Sequence, residues 1–299
     1  MAVAYNIDLV SKFLNLLADV YKLESRTARM DAITQSVDFQ NANEVKVMKL
    51  ETVGLGNYSR SAGYPKGNMN ATWATMTLTL ERGRSFFIDR MDNEESFGLV
   101  LGNLIRTWMR EHVAPELDAT RFAEYATSAG NKVGTGATLS ASTILAALDA
   151  AELALNEDEV PEEGRVLYIT PTCKQYLEAA ISRTLANETR ANRLIEVYNG
   201  MEVVSVPQTR FYTKIALNDG DDATEGGYAK DVGGGGVDIN FMIIHPSAVL
   251  QPIKLNNLKY FSPEVNQLAD GHLFQYRLYH DVFVYPNHEN GIYVHYKAS

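Results

Sequence analysis

Cysteine is nearly absent from this sequence: among 299 residues only Cys173 is present. No internal disulfide can form, and no thiolate cluster is available for a structural zinc. Long apolar runs are absent too. The longest covers about five residues, 144–148, against the roughly 18 that a membrane-crossing helix needs. Residues 1–5 carry no basic flank leading into an apolar stretch, so no secretory signal is read. Positive charge is in short supply, with 27 Lys and Arg against 37 Asp and Glu and a formal net charge of −10. That balance argues against a general nucleic-acid binder, whose affinity comes from clustered cations. Apolar residues are not scarce. They make up 45% of the chain, with 21% charged, which excludes wholesale disorder and collagen-like repetition. The length corresponds to about two domains and suffices to bury about three quarters of the unfolded surface. A soluble protein, cytoplasmic where it is made, is expected.

The acids are unevenly placed. Residues 149–163 hold Asp149, Glu152, Glu157, Asp158, Glu159, Glu162 and Glu163 without one base; Asp219, Asp221, Asp222 and Glu225 form a second group. Neither matches an alternating oxygen-ligand loop with a central glycine and a terminal glutamate, so both read as solvated loops and not calcium sites.

Residues 1–36 read as a partly helical arm, because Ile7, Val10, Phe13, Leu14, Leu17, Val20 and Tyr21 recur at helical spacing. Two strand-like runs follow: 44–53 is rich in β-branched and aliphatic residues, and 74–80 alternates cleanly. Between them, residues 54–68 form a long loop with four glycines and a proline. A two-stranded hairpin is at best marginally stable in water, and loops beyond about 12–15 residues are usually functional or disordered. No helix follows this one directly to cover both faces. It either folds back on its own core or lies on another copy of the chain. Together with the arm, it points to an assembly subunit.

Asp92-Asn93-Glu94-Glu95 resembles a capping box, with Asp92 as N-cap and Glu95 at N3. Phe97, Val100, Leu101, Leu104, Ile105, Trp108 and Met109 then form one apolar stripe. A helix over about 94–129 is expected, kinked near Ala114 by Pro115. Residues 131–141 read as a Gly/Thr/Ser link, 142–155 as an Ala-rich helix and 165–169 as a buried strand. Thr170-Pro171 suits an N-cap and first helical position. That helix is expected to pass Leu185, re-form over about 189–198 and stop at Gly200. Residues 201–206 read as a strand closed by Pro207, 220–236 as a flexible loop and 237–245 as an apolar strand. Strand–helix–strand order implies an α/β lobe over about 140–248. Residues 249–299 are mostly strand, with 274–285 and 291–296 flanking a hairpin turn at 286–290.

No enzyme signature emerges. His272, His280, His288 and His295 fall late, near Asp270, Asp281 and Glu289. A two-histidine zinc motif needs i, i+4 ligands on a helix, whereas this segment reads as strands, where His280 and Asp281 point to opposite faces. Cys173 sits in the first turn of a helix, where the dipole could lower a thiol pKa. Nothing local pairs it with His245 as a base, so an inert, half-buried thiol is expected. Gly233 to Gly236 lacks the Gly-Lys-Ser/Thr ending of a phosphate loop and reads as a linker. Arg183, Arg190 and Arg193 share one face if their helix is continuous; that face is either solvated or set against the acidic 149–163 region of another copy. Asp89, Asp92, Glu94 and Glu95 are explained by helix capping more simply than by a divalent ion.

The order of arm, long hairpin, kinked helix, α/β lobe and terminal strands resembles the major capsid proteins of tailed bacteriophages, the Hong Kong 97-type shell fold. Short stretches carry the likeness in order along the chain: Gly56-Asn57-Tyr58-Ser59-Arg60, Arg84-Ser85-Phe86-Phe87-Ile88-Asp89, Val113-Ala114-Pro115-Glu116-Leu117-Asp118 and Tyr168-Ile169-Thr170-Pro171. Further on come Asn199-Gly200-Met201-Glu202-Val203 before Val206-Pro207, Asn240-Phe241-Met242-Ile243-Ile244-His245 and Gly291-Ile292-Tyr293-Val294-His295. The resemblance implies an α+β fold with an N-terminal arm (1–36), an extended β-hairpin loop overlapping a neighbour (37–92) and a spine helix opening the peripheral domain (93–138). An axial domain (139–248) and the remaining peripheral strands (249–299) would complete it.

By the same resemblance the protein is structural and not an enzyme, with no cofactor or metal. It would self-assemble into hexamers and pentamers of an icosahedral shell, in the bacterial host cytoplasm, and end in the virion capsid. The shell would enclose double-stranded DNA without sequence-specific binding. A separate scaffolding protein, a portal and decoration proteins are the implied partners. Contacts between subunits are expected at Tyr58, Arg60, Tyr64, Lys66, Arg84, Asp89, Arg183, Arg190 and Arg193. Some relatives cross-link a loop lysine to a neighbour's asparagine, which here would join Lys66 to Asn256, Asn257, Asn287 or Asn290. Two other readings stand beside this one: an encapsulin-like cargo compartment of the same fold, and a metal-dependent hydrolase using the late histidines.

Overall fold

Where the sequence alternates with a period of two, the burial alternates with it. The computed structural model describes residues 25–31, 44–61, 63–91, 105–133, 136–182, 195–220, 225–267 and 269–298. The helical spacing over 7–21, the Asp92 cap with Glu95, the stripe from Phe97 to Leu104, and Arg183, Arg190 and Arg193 lie outside the described residues. After one helical turn, α1 (Ala28–Asp31), strands β1 (Glu44–Thr52) and β2 (Met69–Thr77) pair antiparallel from Glu44↔Thr77 to Thr52↔Met69. They form a two-stranded sheet of their own. The run expected to continue to Leu80 ends at Thr77, because Leu78 is buried against Val45 and Leu250 at the root of the hairpin. Leu80 instead opens β3 (Leu80–Asp89), which joins a different sheet.

The long helix is continuous through its proline. Residues 105–108 are helical, Met109–Val113 form a π-turn, and α2 (Ala114–Ser128) follows. The interruption expected near Ala114 takes this form for a stated reason. Pro115 has no N–H to donate and its ring crowds the carbonyl four residues back. Widening the turn puts the Ala114 N–H on the Met109 carbonyl, five residues back, and leaves Ala114 at φ −65°, ψ −42°.

Beyond it come β4 (Asn131–Lys132), α3 (Ile144–Glu157), β5 (Val166–Ile169), α4 (Pro171–Ser182), β6 (Val197–Tyr198), β7 (Met201–Ser205), β8 (Ile215–Asn218), β9 (Gly227–Lys230) and β10 (Ile239–Ile244). Strands β11 (Val249–Leu250), β12 (Ile253–Phe261), β13 (Gly271–His280), β14 (Phe283–Val284) and β15 (Ile292–Tyr296) end the chain. The central sheet runs β4-β15-β10-β5-β7-β6. Every residue of β5 and β10 is buried, as sequences apolar but for Asn240 require of strands covered on both faces. One face packs on α3 and α4 through Ile144, Leu148, Leu167, Leu177, Phe241 and Ile243. The other packs on α2 through Phe122, Tyr125, Tyr168 and Met242. A second, antiparallel sheet, β12-β13-β3, lays Leu258, Phe274, Tyr276 and Leu278 on Ile105, Met109, Val113 and Leu117. The long helix thus serves both sheets, its first half one and its second half the other.

Three expectations are corrected. Tyr198 does not end a helix: Val197 and Tyr198 pair with Glu202 and Met201 around Asn199 (φ 45°) and Gly200 (φ 78°). Positive φ at both turn residues is the hairpin geometry that Asn-Gly favours, and it outweighs the reading of Gly200 as a helix stop. Gly200→Ala places a Cβ in the left-handed region and is expected to lose about 1–2 kcal/mol, seen as a lower denaturant midpoint at unchanged slope. Residues 220–236 are not loop throughout, since β8 and β9 pair from Ile215↔Lys230 to Asn218↔Gly227. The glycine run is a closed turn, with the Gly236 N–H on the Asp231 carbonyl and the Gly234 N–H on Asp231 Oδ1, both at 2.7 Å. Finally, 274–285 and 291–296 do not form a hairpin. β13 lies between β12 and β3, while β15 enters the central sheet between β4 and β10. Residues 292–295 are all buried, which only a strand covered on both faces satisfies.

Candidate assembly surface

Directly opposed residues of an antiparallel pair point to the same face. One face of the β1/β2 hairpin carries Val45 with Met76 and Val47 with Ala74, then turns polar with Lys49, Thr72, Glu51 and Asn70. Its apolar root is anchored on Leu250, Tyr279 and Phe283. The other face carries Met48 with Trp73, Leu50 with Ala71 and Thr52 with Met69. Here Met48 is 55% exposed, Leu50 50%, Met69 72% and Trp73 62%. Burying one such side chain is worth about 1.5–3 kcal/mol, and this chain does not bury them.

Past the strands the tip is closed by Ser59 and Gly63, which exchange backbone hydrogen bonds of 3.1 and 2.7 Å. Gly63 supplies φ 84° for that turn. The rings of Tyr58 and Tyr64 stand 4.9 Å apart over it. Leu55, Tyr58 and Tyr64 are exposed, as are Arg60 and Lys66, and no acid occurs between positions 53 and 68. Tyr58, Arg60, Tyr64 and Lys66 are therefore brought together. Arg84 lies elsewhere, donating from Nη1 to the Gly220 carbonyl (3.3 Å), and Asp89 Oδ1 accepts the Met91 N–H (2.9 Å). Asn256 and Asn257 lie on β12, and Asn287 and Asn290 between β14 and β15.

A second feature has no counterpart in the sequence reading. Asp118, fully buried, accepts from Ser25 Oγ (2.6 Å), Thr27 Oγ1 (2.8 Å), the Arg26 and Thr27 N–H groups (2.9 and 3.2 Å) and Arg210 Nη1 (3.2 Å). One turn on, Arg121, 1% exposed, donates to Thr27 Oγ1 and Asp31, both at 2.8 Å. These two charges clamp residues 25–31 to α2 and place Met30 in the core beside Phe122 and Tyr125. In sequence, Asp118 and Arg121 look like an ordinary solvated pair one turn apart on a helix; the only local hint is the Ser-Arg-Thr run at 25–27.

The four late histidines are dispersed. His272 Nδ1 meets the Tyr260 hydroxyl at 2.7 Å, His288 Nδ1 meets the Ser247 carbonyl at 3.0 Å, and His295 Nδ1 meets Asn240 Nδ2 at 3.1 Å. His280 is 4% exposed, and burial, with Arg121 and Arg82 nearby, pushes its pKa down to about 3. Among the described residues no three His, Cys, Asp or Glu are placed to hold a metal ion. Cys173 is buried outright, not half-buried, and desolvation raises its pKa, opposite to what a nucleophile needs. Among the described residues no helix is long and apolar enough to cross a membrane.

No family model and no curated protein matches the sequence. Solved structures do. The capsid structure of the cyanophage P-SCSP1u is 15% identical, with TM-score 0.61 over 88% of this chain and 86% of that one. The mature capsid of bacteriophage PhiM1 is 12% identical, with TM-score 0.60 over 86% and 83%. A virus-like particle from Pyrococcus furiosus is 11% identical, with TM-score 0.53 over 95% and 98%. At such identities the likeness defines a fold, and the fold is the α+β fold of phage capsid proteins, as the sequence resemblance implies.

Proposed function

We propose that this chain is the major capsid protein of a tailed bacteriophage, a structural subunit and not an enzyme. Copies close into hexamers and pentamers of an icosahedral shell around double-stranded DNA. The reading rests on one observation above all: a chain of phage-capsid fold holds out a hairpin whose exposed face carries Met48, Leu50, Met69 and Trp73. Subunits in closed rings need interfaces of just this head-to-tail kind. In this reading residues 1–36 are the arm, 37–92 the extended loop, 93–138 the spine helix with the first peripheral part, 139–248 the axial domain and 249–299 the remaining peripheral strands. A net charge of −10 suits a wall that encloses DNA without gripping it. A separate scaffolding protein, a portal and decoration proteins would act with it, assembly would take place in the host cytoplasm, and the mature location would be the virion.

The test is a Leu50→Glu/Trp73→Glu double variant. Both side chains are exposed, so a folded monomer with unchanged circular dichroism is expected, and closed particles are expected to vanish in negative-stain microscopy of producing cells. Normal shells from this variant would overturn the reading. The near-complete mutual coverage with the virus-like particle favours a second reading, a cargo compartment of the same fold. Nuclease-protected DNA inside purified particles supports the first; a co-purifying protein cargo without DNA supports the second.

A further inference from the structure

Between the long helix, the β12-β13-β3 sheet and the β8/β9 hairpin lies a cavity of about 310 Å³. Its walls include Phe86, Trp108, Val113, Leu117, Tyr276 and Leu278. Trp108 stands edge-on to both Phe86 (5.2 Å) and Tyr276 (5.3 Å). Among these apolar groups His280 also lines the cavity, and its Nδ1 has no hydrogen-bond partner. A buried ring this desolvated, with Arg121 and Arg82 nearby, stays neutral at physiological pH. The cavity, from which Nδ1 itself is sealed, is lined also by Arg82, Arg84, His112 and Glu116. Its size is at the low end for small-ligand sites, enough for one aromatic group.

The mouth is built, too. Arg82 donates from Nε to Glu116 (2.6 Å) and from its Nη groups to the Asn218 and Gly227 carbonyls (2.8 and 3.3 Å). With Arg84 on the Gly220 carbonyl, this ties the β8/β9 hairpin over the sheet. Asp219 and Glu225 stand exposed on the rim. What would fit is an apolar ring flanked by cations that meet those two acids. The tip of the β1/β2 hairpin carries these groups together: Tyr58, Tyr64, Arg60 and Lys66, with no acid among them. The tip does not fill its own chain's cavity, since Tyr64 is 85% exposed.

We propose that this cavity receives a tyrosine, Tyr64 foremost, from the hairpin tip of a second copy. Its ring lies against Trp108 and Tyr276, and Arg60 and Lys66 pair with Asp219 and Glu225 at the mouth. The inference rests on the shell-subunit reading and adds the receiving site that reading leaves open.

Two measurements test it in assembled particles. In a Lys66→Cys/Asp219→Cys variant, mild oxidation is expected to give a ladder of covalent oligomers on a non-reducing denaturing gel, absent from each single-cysteine variant; Cys173 is buried and silent. Separately, Arg60→Glu/Lys66→Glu is expected to cut particle yield at least tenfold, and adding Asp219→Lys/Glu225→Lys to restore most of it. Particles without a ladder, an undiminished yield after the first charge reversal, or no recovery after the second each overturn the docking while the shell reading stands. No particles from the unaltered chain overturn the shell reading itself.

Discussion

Asp118→Ala is expected to destabilise the protein by about 3–5 kcal/mol, the usual consequence of removing one partner from a buried charged network. The carboxylate is fully buried and receives two hydroxyls, two backbone N–H groups and one guanidinium. Alanine leaves all five donors in a space that water enters poorly, and the partly buried Arg210 guanidinium loses its contact with this carboxylate. The loss should be local as well as global. Residues 25–31 are held to α2 mainly by Asp118 and Arg121, so limited proteolysis should cut there in the variant and not in the parent. Urea unfolding gives the global number. A loss below about 1 kcal/mol, with the protease pattern unchanged, would show that the clamp does not hold the segment. Asp118→Asn retains an acceptor oxygen and should fall between the two.

Stability should also fall steeply on mild acidification, and His280 sets the window. Its pKa lies near 3 in the folded chain against an ordinary 6.5. Above about pH 6.5 the ring is neutral in both folded and unfolded chains, so its contribution is complete. Below that, the unfolded chain takes up a proton that the folded chain refuses until about pH 3, and folding stability drops by up to about 1.4 kcal/mol per pH unit. The total is of order several kcal/mol, with burial as the first cause and the Arg121 and Arg82 charges behind it. His245, His272 and His295 are also lowered, chiefly by desolvation, and add to the trend in the same direction. Urea midpoints from pH 7 to 4 measure the slope. His280→Gln removes the titrating group and should flatten it; a slope unchanged in that variant would assign the acid sensitivity elsewhere.

Local patterns carried much of the fold. The alternation from Ala74 onward, the apolar run at 241–244 and the helical stripe from Ile105 each identified an element and the face it buries, because strand and helix periods are written in neighbouring residues. Thr170-Pro171 opened a helix as expected, with Thr170 Oγ1 accepting the Cys173 N–H at 3.4 Å. Asn199-Gly200 was equally local and was misread, because an apolar run before it suggested helix where a two-residue strand stands. The exposed hairpin was legible as a loop too long and too apolar for its surroundings. Which of its faces stays uncovered was not, since that depends on Leu250, Tyr279 and Phe283, some 200 positions away.

What this sequence settled by itself is the main helices and buried strands of the core, their order and the surplus of apolar surface on an outlying hairpin, because periodicity, proline and glycine act within a few residues. Only the tertiary structure decided that β15 lies beside β10, that β3 closes a sheet with β13, that Asp118 and Arg121 are buried, and that His280 faces a cavity. Each of those depends on surfaces brought together from distant parts of the chain, where burial and not local preference determines what a residue does.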